Sequence, residues 1–224
     1  MTSTNLVHRL SAVLVALATA SSVAACGLNI SAGDATPAHP SASSAAVVPG
    51  AETTIADYLR DAGITETPVH VDDASAPTIQ LPTLPDWVDA TEQAGENTYA
   101  AVKYTGVAAT DYTPNVVVLL SRLTGRAIDH DALLAVAPGE VRNLAGYAPH
   151  GSPRKELLAG HRAYKIAATY DLDGMPAVVG QSTVVIAGRD ATYVAQISVT
   201  GARSQEPIVQ ATVQTIDRDL RIRV

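Results

Sequence analysis

Residues 161–199 read HRAYKIAATYDLDGMPAVVGQSTVVIAGRDATYVAQISV, and the fold class can be inferred from them. Three segments in this stretch are rich in β-branched residues and tyrosine, which is typical of β-strands: His161–Tyr170, Ala177–Ile186 and Thr192–Val199. The Asp-Gly pair within Asp171–Gly174 favours a hairpin turn between the first two. In the third segment, apolar residues recur at every second position from Tyr193, which predicts a strand with one drier face. The stretch therefore predicts an antiparallel sheet.

Further strands and helices flank this stretch. Thr98–Tyr104 and Asn115–Leu123 are also strand-like and are joined by a turn region at 111–114. The segment Glu206–Leu220 carries a helical stripe of apolar residues that should pack on the sheet: Val209, Val213, Ile216 and Leu220. Because strands are grouped between helices at both ends, we predict an α+β fold in which helices pack on the antiparallel sheet in a two-layer arrangement.

Local signals place the remaining elements. Thr54 and Asp57 form a capping-box pattern that should start a short helix, and Gly63 should end it. Asp129 resembles the N-cap of a second helix, and a third short helical stretch follows at Glu140–Leu144. The proline-bracketed pieces at 67–71 and 77–82 are predicted to lie at sheet edges or in loops.

The amino-terminal segment has the organisation of an export signal. Arg9 precedes a mostly apolar run from Leu10 to Ala20, which is too short to be a good membrane span. Val23, Ala24 and Ala25 then precede Cys26, and this order resembles the lipobox of bacterial lipoproteins. That resemblance implies cleavage before Cys26, a diacylglycerol on its sulfur and an acyl group, such as palmitate, on its new amino terminus. The alternative is ordinary secretory cleavage after Ala25, which would leave a free thiol.

Composition divides the chain into three parts. Residues 1–25 are the predicted signal, residues 26–50 are a Ser-, Ala- and Pro-rich flexible stalk beginning at the lipidated cysteine, and residues 51–224 form a single domain. Cys26 is the only cysteine, so no intramolecular disulfide can form, and lipidation accounts for it. Removing residues 1–25 takes away one basic residue, leaving 14 basic against 22 acidic residues and a net charge of −8. This charge argues against a nucleic-acid partner.

The sequence gives no catalytic signature. Nucleophile-elbow, dinucleotide-binding, P-loop and zinc-protease motifs are all absent from it. Asp129-His130-Asp131 offers metal-ligand types, but a helix cap explains its position better. Asp171-x-Asp173-Gly174 begins like a calcium loop and lacks the later ligands, so a polar turn is preferred. We therefore expect no enzyme activity, no metal and no cofactor.

Several runs resemble the mycobacterial LpqN/LpqT lipoprotein family, and together they cover the chain from Cys26 onward apart from the stalk. They are Ile55–Asp61, Glu66–His70, Pro77–Pro82, Asp86–Trp87, Leu120–Gly125, Ala137–Glu140, Asn143–Leu144 and Gln181–Ile186. The resemblance implies a Mog1/PsbP-like antiparallel sheet with helices packed on it. It also implies an envelope lipoprotein linked to glycolipid handling.

Two functional hypotheses remain. In the first, the protein is anchored through Cys26 on the extracytoplasmic face of the cell membrane, binds a lipid or glycolipid and docks on a membrane lipid transporter; a released or surface-exposed form is an alternative location. The groove residues predicted for this function are Val209, Val213, Ile216, Tyr193 and Ile197. In the second, the domain has no small ligand and engages an envelope or host protein through the acidic 51–100 region or the Pro82–Trp87 loop.

Overall fold

The computed structural model describes residues 51–107 and 112–224, and the predicted signal, lipobox, Cys26 and stalk lie outside them. In the described part, the helices are α1 (Ile55–Ala62), α2 (His130–Val136), α3 (Gly139–Arg142) and α4 (Glu206–Asp219). The strands are β1 (Thr65–Pro68), β2 (Thr78–Gln80), β3 (Trp87–Asp89), β4 (Ala100–Tyr104), β5 (Asn115–Thr124), β6 (Ala148–Pro149), β7 (Arg154–Leu158), β8 (His161–Leu172), β9 (Met175–Ala187), β10 (Thr192–Ala202) and β11 (Arg221–Arg223). The strand and helix predictions are confirmed, with boundaries shifted by a few residues.

Nine of the described strands form one sheet with the order β3-β4-β5-β10-β9-β8-β6; β1 pairs with β5, and β7 pairs with β8. All of these pairs are antiparallel. Strands β8 and β9 are joined by Asp173 and Gly174, which have φ angles of +52° and +86°. A two-residue turn with both φ angles positive matches the twist of a hairpin, so the predicted Asp-Gly turn is confirmed. The remaining pair, β2 and β11, forms a separate small sheet.

Helices pack on both faces of the large sheet. Helix α4 covers one face, where its residues Val209 and Ile216 join a core with alternate residues of β10. Helices α1, α2 and α3 cover the other face and form a second core with β8 and β9. The buried residues of both cores lie between Ile55 and Leu220, so residues 51–224 contain what a domain needs to fold independently. The predicted fold class, an antiparallel sheet with helices packed on it, is confirmed. The predicted two-layer arrangement is wrong, because helices cover both faces of the sheet and make three layers.

The expectation that β10 has one drier face is wrong. Every residue of this strand from Tyr193 to Ala202 is buried, including Gln196 and Ser198, which are 3% and 7% exposed. The reason is non-local, because helices and loops from distant parts of the chain cover both faces of the sheet. Ser198 Oγ donates to Gln181 Oε1 of β9 over 3.3 Å, so this polar residue of β10 bonds to a neighbouring strand inside the protein.

Helix α4 approaches the sheet closely at two glycines. A Cβ atom at Gly180 of β9 would lie 2.8 Å from Val213 Cγ2, and one at Gly201 of β10 would lie 2.8 Å from Val209 Cγ2. Contacts this short would force the helix or the strand to move, so the two glycines set the height of α4 above the sheet.

The start of the domain is fixed by local capping and by α3. The Thr54 hydroxyl accepts from Asp57 N and Asp57 accepts from Thr54 N, which completes the predicted capping box of α1. Glu140 Oε1 of α3 accepts from Ile55 N over 2.7 Å. Asn143 accepts from Glu52 N and donates to Glu52 O, both over 2.8 Å. The chain therefore enters the domain through hydrogen bonds to residues more than 80 positions away.

Thr54→Ala tests the capping box. The substitution removes the oxygen that accepts from Asp57 N, so we expect the free energy of unfolding to fall by about 1 kcal/mol. Chemical denaturation of residues 51–224 measures it. The neighbouring Thr53→Ala is the control, since the Thr53 hydroxyl is not part of the capping box. Equal losses in the two variants would contradict this role of Thr54.

Glu140 predicts a pH dependence of stability. Burial raises the pKa of its carboxyl from an ordinary 4.5 to about 7, the hydrogen bond from Ile55 N opposing the shift. Because the folded state holds this proton more tightly than the unfolded state, the Glu140 contribution to stability is lost as pH rises through 7. Glutamine keeps an oxygen for Ile55 N without the charge. Glu140→Gln should therefore raise the free energy of unfolding at pH 8 by roughly 2–3 kcal/mol and change it little at pH 4.

The control for this prediction is Glu96→Gln, which neutralises an exposed carboxylate. Denaturation at pH 4 and pH 8 gives the comparison. If both variants follow the parent protein at both pH values, then the buried Glu140 carboxyl does not titrate as described.

Candidate functional site

A groove of about 360 Å³ lies between α4 and strands β8 and β9. Its apolar lining includes Val178 and Gly180 from β9, and Val209 and Val213 from α4. Ligand sites in proteins commonly enclose roughly 300–1,000 Å³ and are lined mainly by apolar side chains, so the groove is large enough for part of a small molecule.

The structure brings together only part of the predicted groove. Val209 and the half-buried Val213 line it. Tyr193, Ile197 and Ile216 do not border it and are packed in the core. For these three residues the structure supports a packing role. Val209 belongs to the same core at 2% exposure, so Val213 is the one residue of the predicted set that is partly exposed at the groove. The physical reason is that the helical stripe of α4 packs on the sheet, with Val209 and Val213 lying over Gly201 and Gly180 and Ile216 inside the core.

One wall of the groove carries a buried lysine. Lys165 of β8 has a side chain only 9% exposed, and its Nζ lies 2.7 Å from Glu156 Oε1 of β7 and 2.7 Å from Asp217 Oδ1 of α4. The hydrogen bond from Lys165 is the main cause that lowers the pKa of Glu156. A buried ammonium flanked by two carboxylates is held in place by charge, and removing the lysine would leave the partly buried Asp217 carboxylate without its cation.

A second polar group is centred on His150. Its Nε2 lies 3.1 Å from Glu206 Oε1 and 3.2 Å from Gln210 Nε2, and Glu206 is also 3.1 Å from Arg203 Nε. Arg154, another charged residue of the lining, lies 3.8 Å from Glu156. The charged side chains of the groove therefore have partners of opposite charge within the protein. Such a lining offers apolar contact together with amides and hydroxyls, and no uncommitted charge for an ionic ligand.

The sequence analysis did not identify Lys165, Glu156 or Gly180 as groove residues. Gly180 had a readable signal, since a glycine inside a strand often marks a close approach of backbone or ligand. Lys165 lies in the interior of a strand between Tyr164 and Ile166, and a lysine there is unusual in a buried strand. Its partners come from another strand and from the last helix, so the sequence alone does not pair them.

The other chemical interpretations can be compared with the geometry. The Asp129 side chain accepts from Asp131 N and Ala132 N, which confirms it as the N-cap of α2. Asp131 pairs with Arg162. Among residues 51–107 and 112–224, no three His, Cys, Asp or Glu side chains converge as a metal site requires. In the same part of the chain, no helix is both long and apolar enough to cross a membrane.

Three comparisons with known proteins bear on this domain. The family described as "Probable lipoprotein LpqN" matches residues 51–223. Lipoprotein LpqN of Mycobacterium tuberculosis is 35% identical over 173 residues, which cover 77% of this chain and 75% of that protein.

Solved structures include a relative of the same name. The crystal structure of LpqN involved in cell envelope biogenesis of Mycobacterium tuberculosis superposes with a TM-score of 0.72 at 35% identity, covering 78% of this chain and 100% of that chain. The Ran-binding protein Mog1p of Saccharomyces cerevisiae gives a TM-score of 0.44 at 12% identity, covering 70% and 94%. The match over residues 51–223 and the identity to LpqN show that this chain belongs to the LpqN family of lipoproteins.

Proposed function

We propose that this protein is a membrane-anchored envelope lipoprotein whose domain binds a lipid or glycolipid in the groove beside α4 and assists envelope lipid transport. The observation that carries the proposal is the mainly apolar lining of the groove, in which the half-buried Val213 stands in front of the core residues Val178 and Val209. An acyl chain is the ligand chemistry that such a wall favours, because burying each methylene contributes about 0.8 kcal/mol. Family membership supports an envelope role.

The polar residues of the groove favour an uncharged head group. Lys165 and Asp217 neutralise each other, and His150 is paired with Glu206. An anionic phosphate placed there would have to compete with the carboxylates of Asp217 and Glu206 for Lys165 and His150. The amide of Gln214 and the hydroxyl of Ser182 remain as hydrogen-bonding groups of the lining. Sugar hydroxyls suit such groups, so a glycolipid fits the groove better than an anionic phospholipid.

Anchoring through Cys26 is the second part of the proposal. The lipobox-like residues Val23, Ala24 and Ala25 support it, and the Ser-, Ala- and Pro-rich residues 27–50 would give the domain reach from the membrane. Two or three acyl chains are sufficient for stable anchoring, whereas one chain is marginal. The domain would then act on the extracytoplasmic face of the membrane and could pass its ligand to a membrane transporter.

A non-enzymatic role is also part of the proposal. The charged groups of the groove are engaged with one another in ion pairs, and Lys165 is held between two carboxylates. Ion pairs of this kind support a binding role for the groove. The M. tuberculosis relative is a lipoprotein.

The competing hypothesis, a protein-interaction module, is less well supported at the Pro82–Trp87 loop. Trp87 is half-buried and its ring packs on Tyr104, with ring centroids 5.6 Å apart. This aromatic side chain is therefore engaged inside the domain. The acidic surface of residues 51–100 remains the alternative docking region for an envelope or host protein.

Cys26→Ala tests the anchor. We expect the parent protein to fractionate with membranes and its mature amino-terminal peptide to carry a diacylglycerol mass on Cys26, while Cys26→Ala loses both properties. Ser21→Ala, which leaves the lipobox-like residues intact, should behave like the parent. A parent protein with an unmodified Cys26 thiol would contradict lipidation and favour ordinary secretory cleavage after Ala25.

Val213→Trp tests the groove. We expect native mass spectrometry of residues 51–224, incubated with envelope lipid extract, to show a discrete adduct. A tryptophan at position 213 should fill the opening and weaken binding about tenfold or more, a loss of ~1.4 kcal/mol. Gln210→Trp, an exposed position at the groove, should also weaken binding without altering the core.

The matched control is Val71→Trp, which introduces the same side chain at an exposed valine outside the groove lining. Circular dichroism confirms that each variant is folded. A folded parent domain that acquires no adduct across the whole extract would refute lipid binding and leave the interaction module as the explanation. An adduct equally reduced by Val71→Trp would place the ligand elsewhere.

A further inference from the structure

A second cleft, of about 590 Å³, lies at the carboxyl end of α4 against the small sheet of β2 and β11. Arg218 comes from the last turn of α4, and Arg221 and Arg223 come from β11. The facing wall is residues 80–83. This cleft shares no lining residue with the groove beside Val213.

The pairing of β11 with β2 places two arginines on one face. Ile222 pairs with Ile79, and both pack against the core. Side chains alternate along a strand, so Arg221 and Arg223 project from the opposite face, about 7 Å apart along the strand. Their cross-strand partners are Gln80 and Thr78, which are uncharged.

The cleft is positively charged in an acidic protein. Three guanidinium groups against the single carboxylate of Asp219 leave the lining with a formal charge of +2, whereas the chain carries −7. Arg218 is engaged with Asp219, its Nε and Nη2 lying 3.0 and 2.9 Å from Oδ2. Within the described ranges, neither Arg221 nor Arg223 has an ion-pair partner. The partial negative charge at the carboxyl end of α4 stabilises the nearby Arg218. It does not neutralise the positive charges of Arg221 and Arg223.

We infer that this cleft binds the phosphate group of an anionic ligand. Guanidinium groups donate planar pairs of hydrogen bonds that match phosphate oxygens, and a cleft with charge of one sign concentrates the opposite ion. The phosphate belongs either to an anionic phospholipid at the membrane surface or to a soluble phosphorylated molecule. This site goes beyond the proposed function, because it recognises a charge that the neutralised groove beside Val213 does not accommodate.

The first experiment measures binding of residues 51–224, which lack any anchor, to vesicles of equal parts phosphatidylcholine and phosphatidylglycerol. We expect the domain to sediment with these vesicles and not with phosphatidylcholine alone, and added salt should weaken the binding. The double variant Arg221→Gln and Arg223→Gln should bind these vesicles about 30-fold more weakly. The reason is that each arginine near an anionic membrane surface adds to the free energy of binding.

The matched control is Arg126→Gln with Arg189→Gln. This double variant makes the same change in net charge at two exposed arginines outside the cleft, and it should bind the vesicles nearly as well as the parent. An equal loss in the control pair would overturn the inference, because the binding would then depend on net charge alone.

The second experiment follows the side-chain Nε–Hε resonances of Arg221 and Arg223 by NMR while inorganic phosphate is added, with sodium chloride of equal ionic strength as the reference. Shifts with phosphate and binding to anionic vesicles together support a phospholipid head group. Shifts without vesicle binding support the same site with a soluble phosphorylated ligand. No phosphate-specific shift and no binding to anionic vesicles would overturn the site, whatever the outcome for lipid adducts in the Val213 groove.

Discussion

The contact between α4 and the glycines of β9 and β10 determines most of what this domain presents on the α4 face of its sheet. Where Gly180 and Gly201 lie beneath valines, the helix rests close on the strands and closes the core. Towards β8 the strand residues include a lysine, and the helix and strand meet there through ion pairs across a gap. The same helix thus seals one part of the sheet and leaves a groove beside another.

The two clefts next to α4 differ in how their charges are balanced. In the groove, Lys165 is held between two carboxylates, and His150 and Arg154 also have acidic partners. At the carboxyl end of the helix, Asp219 pairs with Arg218, and Arg221 and Arg223 of β11 form no ion pair with any residue that the structure describes. The groove with balanced charges and the cleft with excess positive charge therefore lie at different positions along the same helix. A ligand with an uncharged body and a ligand with a phosphate would not compete for the same residues.

How far the structure follows from the sequence depends on the range of the interactions. Thr54, Asp57 and Gly63 define α1 because capping involves neighbours along the chain, and Asp173-Gly174 defines its hairpin for the same reason. The alternation of Gln196 and Ser198 in β10 misleads because a strand's pattern does not tell whether a distant helix covers its polar face. Of the predicted groove residues on α4, Val209 and Val213 line the groove and Ile216 does not, since a helical stripe does not tell which of its residues border a cleft. Lys165 was missed because its partners lie on another strand and on the last helix.

The hydrogen bonds at the entrance of the domain have a mechanical consequence. If the protein is tethered through its amino-terminal stalk, a pull on the tether arrives first at Glu52 and Ile55, which are held by Asn143 and Glu140. These residues belong to the helical layer on the face of the sheet opposite α4. Load would be transmitted into that layer and spread across the long strands behind it, so that tension from the membrane reaches α4 and its clefts last.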